Sequence, residues 1–304
     1  MSKQSRKGII LAGGSGTRLY PLTKGISKQL LPVFDKPMIY YPLSVLMLAN
    51  IKDILIISTS FDTPIIEKIF GNGSNLGLNI SYEVQEQPNG IGEAFLIGES
   101  FINNSPVTLI LGDNLIFGQD FTSILNVALS NSIGATIFGY RVQNPENFGV
   151  IEFDEHKNVI SIEEKPKEPK SQYAIPGLYF YDERVCDIAK NLSPSARGEL
   201  EITDINKVYL DEKNLHMELF GRGTAWLDMG TNTSLHRASI HIESMQKIQS
   251  YQIGNIEEIA YRREWISKAQ LIESINSMGN NDYSKYLKNI INDLGHKNPN
   301  ICVD

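Results

Sequence analysis

The run Leu11-Ala12-Gly13-Gly14-Ser15-Gly16-Thr17-Arg18-Leu19 constrains this chain more than any other segment. It leaves Gly8 to Ala12, a short apolar stretch that reads as a buried strand, so the glycines fall at a strand-to-helix turn. Glycine lets the backbone close on a phosphate, and successive N–H groups at a helix start bind anions. Arg18 adds a planar positive fork suited to phosphate oxygens. A tight turn that binds nothing is the plain alternative, but it has no need of Ser, Thr and Arg beside the glycines. Two better-known glycine motifs are excluded. A P-loop needs Gly-Lys-Ser/Thr, and Gly16 is followed by Thr17-Arg18. A dinucleotide fingerprint starting at Gly14 would need glycine where Leu19 stands, so an NAD-dependent oxidoreductase loses its main support.

The rest of the first half alternates in kind. Ile54 to Ser58, Val107 to Leu111 and Ala135 to Gly139 read as further buried strands. Met38 to Asn50, Pro64 to Phe70 and Gly92 to Phe101 read as helices between them. This order predicts an α/β, Rossmann-like fold with a mostly parallel central sheet and helices on both faces. Ligands of such sheets sit beyond the carboxyl ends of the strands. From about Phe148 the pattern changes. Gly149 to Phe153 and Val159 to Glu163 predict a hairpin, Leu178 to Tyr181 and His216 to Phe220 add strands, and together they make a small β annex. Ser234 to Gln249, Glu257 to Met278 and Tyr283 to Leu294 predict C-terminal helices. The expected division is a core with its annex over 1–232 and a helical region over 233–304, packed on the body or on another subunit. The tail from Asn298 to Asp304 yields no reading.

Several charged residues fall where such a fold gathers its ligands. Lys28 lies on the loop leaving the glycine-rich turn and can place a second cation on a triphosphate. Asp113 follows the apolar run Val107 to Leu111, where a hard cation such as Mg2+ would be held, and Asp228 is a second candidate ligand. Mg2+ takes one or two carboxylates plus substrate phosphates, and no His/Cys cluster points to zinc or iron. Glu164 and Lys165 close the predicted hairpin, one able to accept from sugar hydroxyls and the other to grip a phosphate. The net charge of -7 over 304 residues argues against a general nucleic-acid binder, though not against binding one nucleotide. No apolar run approaches the roughly 18 residues of a membrane span, and the N-terminal residues lack the h-region of a signal peptide. Cys186 and Cys302 form no ligand motif, and a reduced, cytoplasmic setting is the simple expectation.

Taken in order, these segments resemble the sugar-1-phosphate nucleotidyltransferases, most of all their short thymidylyltransferase branch. The likeness runs from Lys7 to about Ser274. It is carried by Lys7 to Pro21, Ser27-Lys28-Gln29-Leu30-Leu31-Pro32, Glu163-Glu164-Lys165-Pro166-Lys167, Arg197-Gly198-Glu199-Leu200-Glu201-Ile202-Thr203-Asp204 and Glu257-Glu258-Ile259-Ala260-Tyr261-Arg262. The resemblance implies that dTTP and glucose 1-phosphate are joined to a nucleotide sugar, releasing pyrophosphate, with Mg2+ as the metal. It implies that Arg18, Lys28 and Lys165 are the catalytic cations, and that Leu11, Gly13, Gly14, Ser15, Gly16, Thr17 and Asp113 line the nucleotide. Gln85 and Gly90 match the base-reading pair. Gly149, Glu164, Ile175, Gly177 and Trp226 match the sugar pocket, and Asp113 and Asp228 the metal ligands. It further implies a cytoplasmic homotetramer serving dTDP-rhamnose and lipopolysaccharide synthesis. There the C-terminal helices help form a second nucleotide site through which dTDP-rhamnose inhibits. Uridylyl transfer on the same fold, and a non-catalytic nucleotide or sugar-phosphate sensor, are the competing readings.

The family pattern is not followed everywhere. Gln85-Glu86-Gln87-Pro88-Asn89-Gly90-Ile91-Gly92-Glu93-Ala94 departs from it at Gly92 and Glu93. Pro176 takes the place of a threonine in Ile175-Pro176-Gly177, removing a backbone donor and a hydroxyl. Met229 stands where a threonine follows the second aspartate, and Asn232-Thr233 replaces a His-acidic pair. These changes leave the expected chemistry in place and raise the expectation of a sugar other than glucose, deoxy or amino.

Overall fold

The computed structural model describes residues 5–14 and 16–292. Four parallel strands lie side by side in the order Val107–Leu111, Lys7–Leu11, Asp53–Ser58 and Asn79–Val84. Leu178–Tyr181 is inserted antiparallel between Val107–Leu111 and Ala135–Arg141. Leu215–Leu219 runs parallel to Ala135–Arg141 on its other side. The predicted α/β architecture with its mostly parallel sheet is therefore what forms. The apolar strands are hydrophobic on both sides because both are covered. Ile10, Ile54, Ile56 and Ile110 face one core with Leu43 and Leu46, while Ile9, Leu55, Ile57 and Leu109 face another with Phe95 and Tyr209.

The annex is the predicted hairpin, Gly149–Phe153 against Val159–Glu164, tied to the main sheet through Tyr173–Ala174. Tyr173–Ala174 and Leu178–Tyr181 are one line of chain interrupted at Ile175-Pro176-Gly177. Proline cannot donate to a ladder, so Pro176 is tolerated in that gap. A second pairing escaped the sequence reading: Asn114–Gly118 with Thr224–Asp228, antiparallel, with Asp228 opposite Asn114. That register delivers Asp228 to the residue next to Asp113.

Two expected helices are broken. Gly92 to Phe101 divides into Glu93–Ile97 and Glu99–Ile102 at Gly98, where a Cβ would come within 3.0 Å of Leu55 on the sheet. Glu257 to Met278 divides into Ile256–Arg262 and Lys268–Ser277. Glu264 turns the chain with a left-handed φ of 58°, and Ser267 caps the second piece reciprocally with Gln270. The last helix is Asp282–Asn292, and its expected end at Leu294 lies outside the described residues, as do Cys302 and the tail. These helices pack on the body. Ile256, Ile259, Leu271 and Leu287 share a core with Leu43 and Leu46, and the buried Lys36 ammonium donates to the Ile253 carbonyl at 2.9 Å. Among the described residues no helix is long and apolar enough to cross a membrane.

Candidate active site

The carboxyl ends of the parallel strands assemble most of the expected residues. Beyond Leu11 the chain turns through Gly13, Gly14 and Gly16, the last two at φ of 109° and 59°, into a single short turn at Thr17–Leu19. Buried Leu19 anchors that turn, leaving Thr17 and Arg18 exposed. Ser15 lies outside the described residues. Gly13 is needed for proximity: a Cβ there would sit 2.6 Å from the Gln85 side-chain oxygen. Gln85, just past Asn79–Val84, is buried, and its amide donates to the Gly90 carbonyl at 3.3 Å and to Glu93 at 2.8 Å. Gly90, at φ 107°, sits against Leu200, whose carbonyl oxygen would lie 2.5 Å from an added Cβ.

A charged cluster lies beside this turn. Lys28 Nζ is 2.5 Å from Asp113 Oδ2, with both side chains largely buried. Burial would raise the Asp113 carboxyl, but the Lys28 ammonium and the hydrogen bonds from Lys28 and Asn114 hold it below the usual carboxylate value. Asp228 goes the other way. Burial first, and the Asp113 charge second, push it up to about 6, against the pull of Lys28 and Arg18. The Arg18 guanidinium reaches the same corner, where its Nη2 would stand 2.8 Å from a Cβ on Gly230. A buried carboxylate, Asp113, and a half-buried one, Asp228, thus lie close enough to feel one another's charge, with Lys28 bonded to Asp113. Among the described residues no group of three or more His, Cys, Asp or Glu forms a complete metal cage. Two neighbouring carboxylates on adjoining strand ends fit a hard divalent cation that takes its other ligands from phosphates and water.

The sugar-side residues converge across the gap. A Cβ on Gly149 would meet Glu164 Oε2 and Ile175 Cδ1, each at 3.4 Å, and Thr203 Oγ1 at 3.7 Å. Thr203 donates its hydroxyl to Glu164 Oε2 at 2.6 Å. Lys165 follows with a positive φ of 45° and a half-exposed ammonium 3.9 Å from Glu164. Gly177 and Trp226 meet at Asn114 instead. The Gly177 N–H and the Trp226 indole N–H donate to one oxygen, Asn114 Oδ1, at 2.9 and 2.6 Å. The polar end of the indole is therefore spent on Asn114, and its ring packs edge-on against Phe148 and Tyr140.

The residues that sequence reasoning left without a role are Asn114, Arg197 and Thr203. Arg197 Nη2 stands 3.7 Å from Glu164 Oε1 while its main partner is Glu201 at 2.8 Å. Both Arg197 and Thr203 belong to a stretch that already carried the resemblance, which was the available signal. The departures are unequal in consequence. Met229 is fully buried in an apolar core with Leu19 and Leu115, and Asn232 and Thr233 are exposed at a helix start capped by Thr231. Pro176, between Ile175 and Gly177, is the one beside the sugar-side residues.

A model of the nucleotidyl transferases matches residues 7–245, and the chain belongs to that family. Its place within the family is among the glucose-1-phosphate thymidylyltransferases. A protein of that name from Neisseria meningitidis is 55% identical over 94% of this chain and 99% of its own length. Another from Mycobacterium tuberculosis is 50% identical over the same shares. A UDP-glucose pyrophosphorylase solved with UDP-glucose superposes with a TM-score of 0.70 at 26% identity, covering 80% of this chain and 100% of its own.

Proposed function

We propose that this enzyme joins dTTP to glucose 1-phosphate, giving dTDP-glucose and pyrophosphate, with Mg2+ held by Asp113 and Asp228. The observation that carries the reading is the cluster of Lys28, Asp113, Asp228 and Arg18 at the strand ends beside the glycine-rich turn. Arg18 and Lys28 would hold the triphosphate over the backbone of Gly13, Gly14, Gly16 and Thr17. Gln85 and Gly90 would meet the base. Glu164 would accept from the sugar hydroxyls, and Lys165, with Arg197 close by, would hold the sugar phosphate. A sugar-phosphate oxygen attacks the α-phosphorus in line and pyrophosphate departs on the opposite side. The attacking phosphate is already ionised, so no general base is needed. The residues' task is to bring two anions together against their repulsion and to stabilise charge on the α-phosphate. Mg2+, when bound, supplies further positive charge to the phosphates.

The homotetramer is likewise proposed, and the helix Asn232–Gln249, with Ile240 and Ile248 exposed, has apolar surface that a contact between copies would cover. The cytoplasmic setting is part of the same proposal. Service to dTDP-rhamnose and lipopolysaccharide synthesis, and the division at residue 232, belong to the same proposal.

With dTTP, glucose 1-phosphate and Mg2+, the expected result is prompt pyrophosphate release, faster than with UTP at equal concentration. Stoichiometric dTTP binding without release would point instead to a sensor. A second reading, in which another sugar 1-phosphate is accepted, rests on Pro176. Across a panel of sugar 1-phosphates it expects a deoxy or amino sugar to match glucose in turnover. Turnover confined to glucose 1-phosphate would end it.

A further inference from the structure

The hairpin that follows the Lys28 turn is tied to a distant part of the chain by a closed ring of hydrogen bonds that the reaction itself does not use. The hairpin is Pro32–Val33 against Lys36–Pro37, with Phe34 turning the chain at a left-handed φ of 58°. Lys36 Nζ donates to Asp35 Oδ1 at 2.6 Å and to the Ile253 carbonyl at 2.9 Å. The Ile253 N–H donates to Gln246 Oε1 at 2.9 Å, and Gln246 Nε2 donates to Asp35 Oδ2 at 3.0 Å, which closes the ring. Both backbone groups of Ile253, just ahead of the helix Ile256–Arg262, are held in this way. The Lys36 side chain is almost fully buried, its ammonium 5.5 and 5.9 Å from the rings of Tyr41 and Tyr283. A buried ammonium is tolerated only where its partners are in place, so the contact demands one geometry.

The other end of the hairpin reaches the active site. Lys28 sits in a single turn, Lys28–Leu30, too short to hold its own shape. The chain leaving that turn is fastened to the chain leaving the hairpin. Met38 N–H donates to the Leu31 carbonyl and Ile39 N–H to the Gln29 carbonyl, each at 2.9 Å. We infer that Lys36 is a positioning residue for the nucleotide: by pinning the hairpin to Ile253 it fixes the turn that presents Lys28, and so ties dTTP binding to the segment that opens the C-terminal helices. The inference rests on the proposal that Lys28 grips the triphosphate. A cation already in place binds an anion more tightly than one that must first be ordered, and a small displacement weakens every bond it makes. Glu164 and Lys165 are carried by a different hairpin, which joins the main sheet through Tyr173–Ala174, so the sugar phosphate is held independently of Lys36.

The test is the Kd for dTTP with Mg2+, measured by calorimetry on the parent, Lys36→Met and Leu287→Ala well below their melting temperatures, with KM for glucose 1-phosphate alongside. Lys36→Met keeps an apolar stem in the buried position and removes the ammonium. Leu287→Ala opens a cavity at a fully buried position of the last helix, Asp282–Asn292, and leaves the ring assembled. Lys36→Met is expected to raise the dTTP Kd about tenfold while KM for glucose 1-phosphate stays within about twofold. Leu287→Ala is expected to lower the melting temperature and keep the dTTP Kd within about twofold. A Kd that Lys36→Met leaves within about twofold of the parent overturns the inference. An equal rise in Leu287→Ala also overturns it, by assigning the effect to general loosening. Should Lys36→Met not fold, Asp35→Asn takes its place: it removes the counter-charge of Lys36 and is expected to raise the dTTP Kd about threefold, and an unchanged Kd overturns the inference. A parent that binds dTTP without releasing pyrophosphate fails the proposed function alone, and the Kd comparison still decides the role of Lys36. A parent that binds no dTTP overturns both.

Discussion

Asp113→Asn is expected to reduce kcat/KM for pyrophosphate release by about a thousandfold or more, equivalent to ~4 kcal/mol of lost transition-state stabilisation, while the protein stays folded. The substitution is nearly isosteric. The backbone carbonyl of residue 113 still accepts from Met229 N–H, 3.0 Å away, and a side-chain amide oxygen can still take the hydrogen bond from Asn114 Nδ2. What disappears is one negative charge from a buried site that holds Lys28 and Asp228. The remaining Asp228 would carry a divalent cation alone, and a site with half its carboxylates binds such a cation more weakly. Lys28 loses the carboxylate that holds its ammonium at 2.5 Å, so the group proposed to grip the phosphates is also less well placed. The check combines a pyrophosphate assay over a range of Mg2+ with a thermal melt. Partial recovery at high Mg2+ with an unchanged melting temperature would fit a weakened metal site. Activity within tenfold of the parent would show that Asp113 ligates nothing essential. A melting temperature lowered by many degrees would assign the loss to folding instead.

How far the sequence could announce this arrangement differs between its parts. The strand Lys7–Leu11 and the turn after it were legible because both signals are local. An apolar run bounded by glycines needs no distant partner to be recognised. The same holds for Lys28 and Asp113, which follow short stretches read directly as loop and strand end. Asp228 could be named as a second candidate ligand, but nothing local placed it beside Asp113. Its approach to Asp113 depends on Thr224–Asp228 pairing with Asn114–Gly118, and no local periodicity reports a partner so distant in sequence. Asn114–Gly118 was itself hidden, because it begins directly after the bend at Gly112-Asp113 that ends Val107–Leu111. The breaks at Gly98 and Glu264 failed for a related reason. Hydrophobic spacing continues across them, while Gly98 answers to a close approach by Leu55 and Glu264 to a left-handed φ. The sugar side was legible at Glu164 and Lys165, which end a readable hairpin. Thr203 and Arg197 were invisible as partners of Glu164 because they reach it from a different segment.

Asn114 ties the fold to the site, and its replacement carries the second large expectation. Asn114→Ala should lower stability by ~3–5 kcal/mol and activity by about a hundredfold. The side chain is buried and uses both ends. Its oxygen accepts from the Trp226 indole at 2.6 Å and from Gly177 N–H at 2.9 Å, while its NH2 donates to Asp113 Oδ1 at 3.2 Å. Alanine leaves two buried donors without an acceptor, each costing ~1–3 kcal/mol, and removes contacts around the vacated volume. The same two donors hold Gly177 on the sugar side and Trp226 within the strand that ends at Asp228, so the damage reaches both halves of the site. Asn114→Asp separates the contributions. A carboxylate still accepts from Trp226 and Gly177, but it cannot donate to Asp113 and adds a third negative charge beside two aspartates. Asn114→Asp is therefore expected to retain more stability than Asn114→Ala while remaining at least as impaired in pyrophosphate release. Equal loss of stability in the two variants would show that packing, rather than the shared oxygen, is what Asn114 provides. Near-parental activity in Asn114→Asp would show that the charge balance around Asp113 and Asp228 does not govern the reaction.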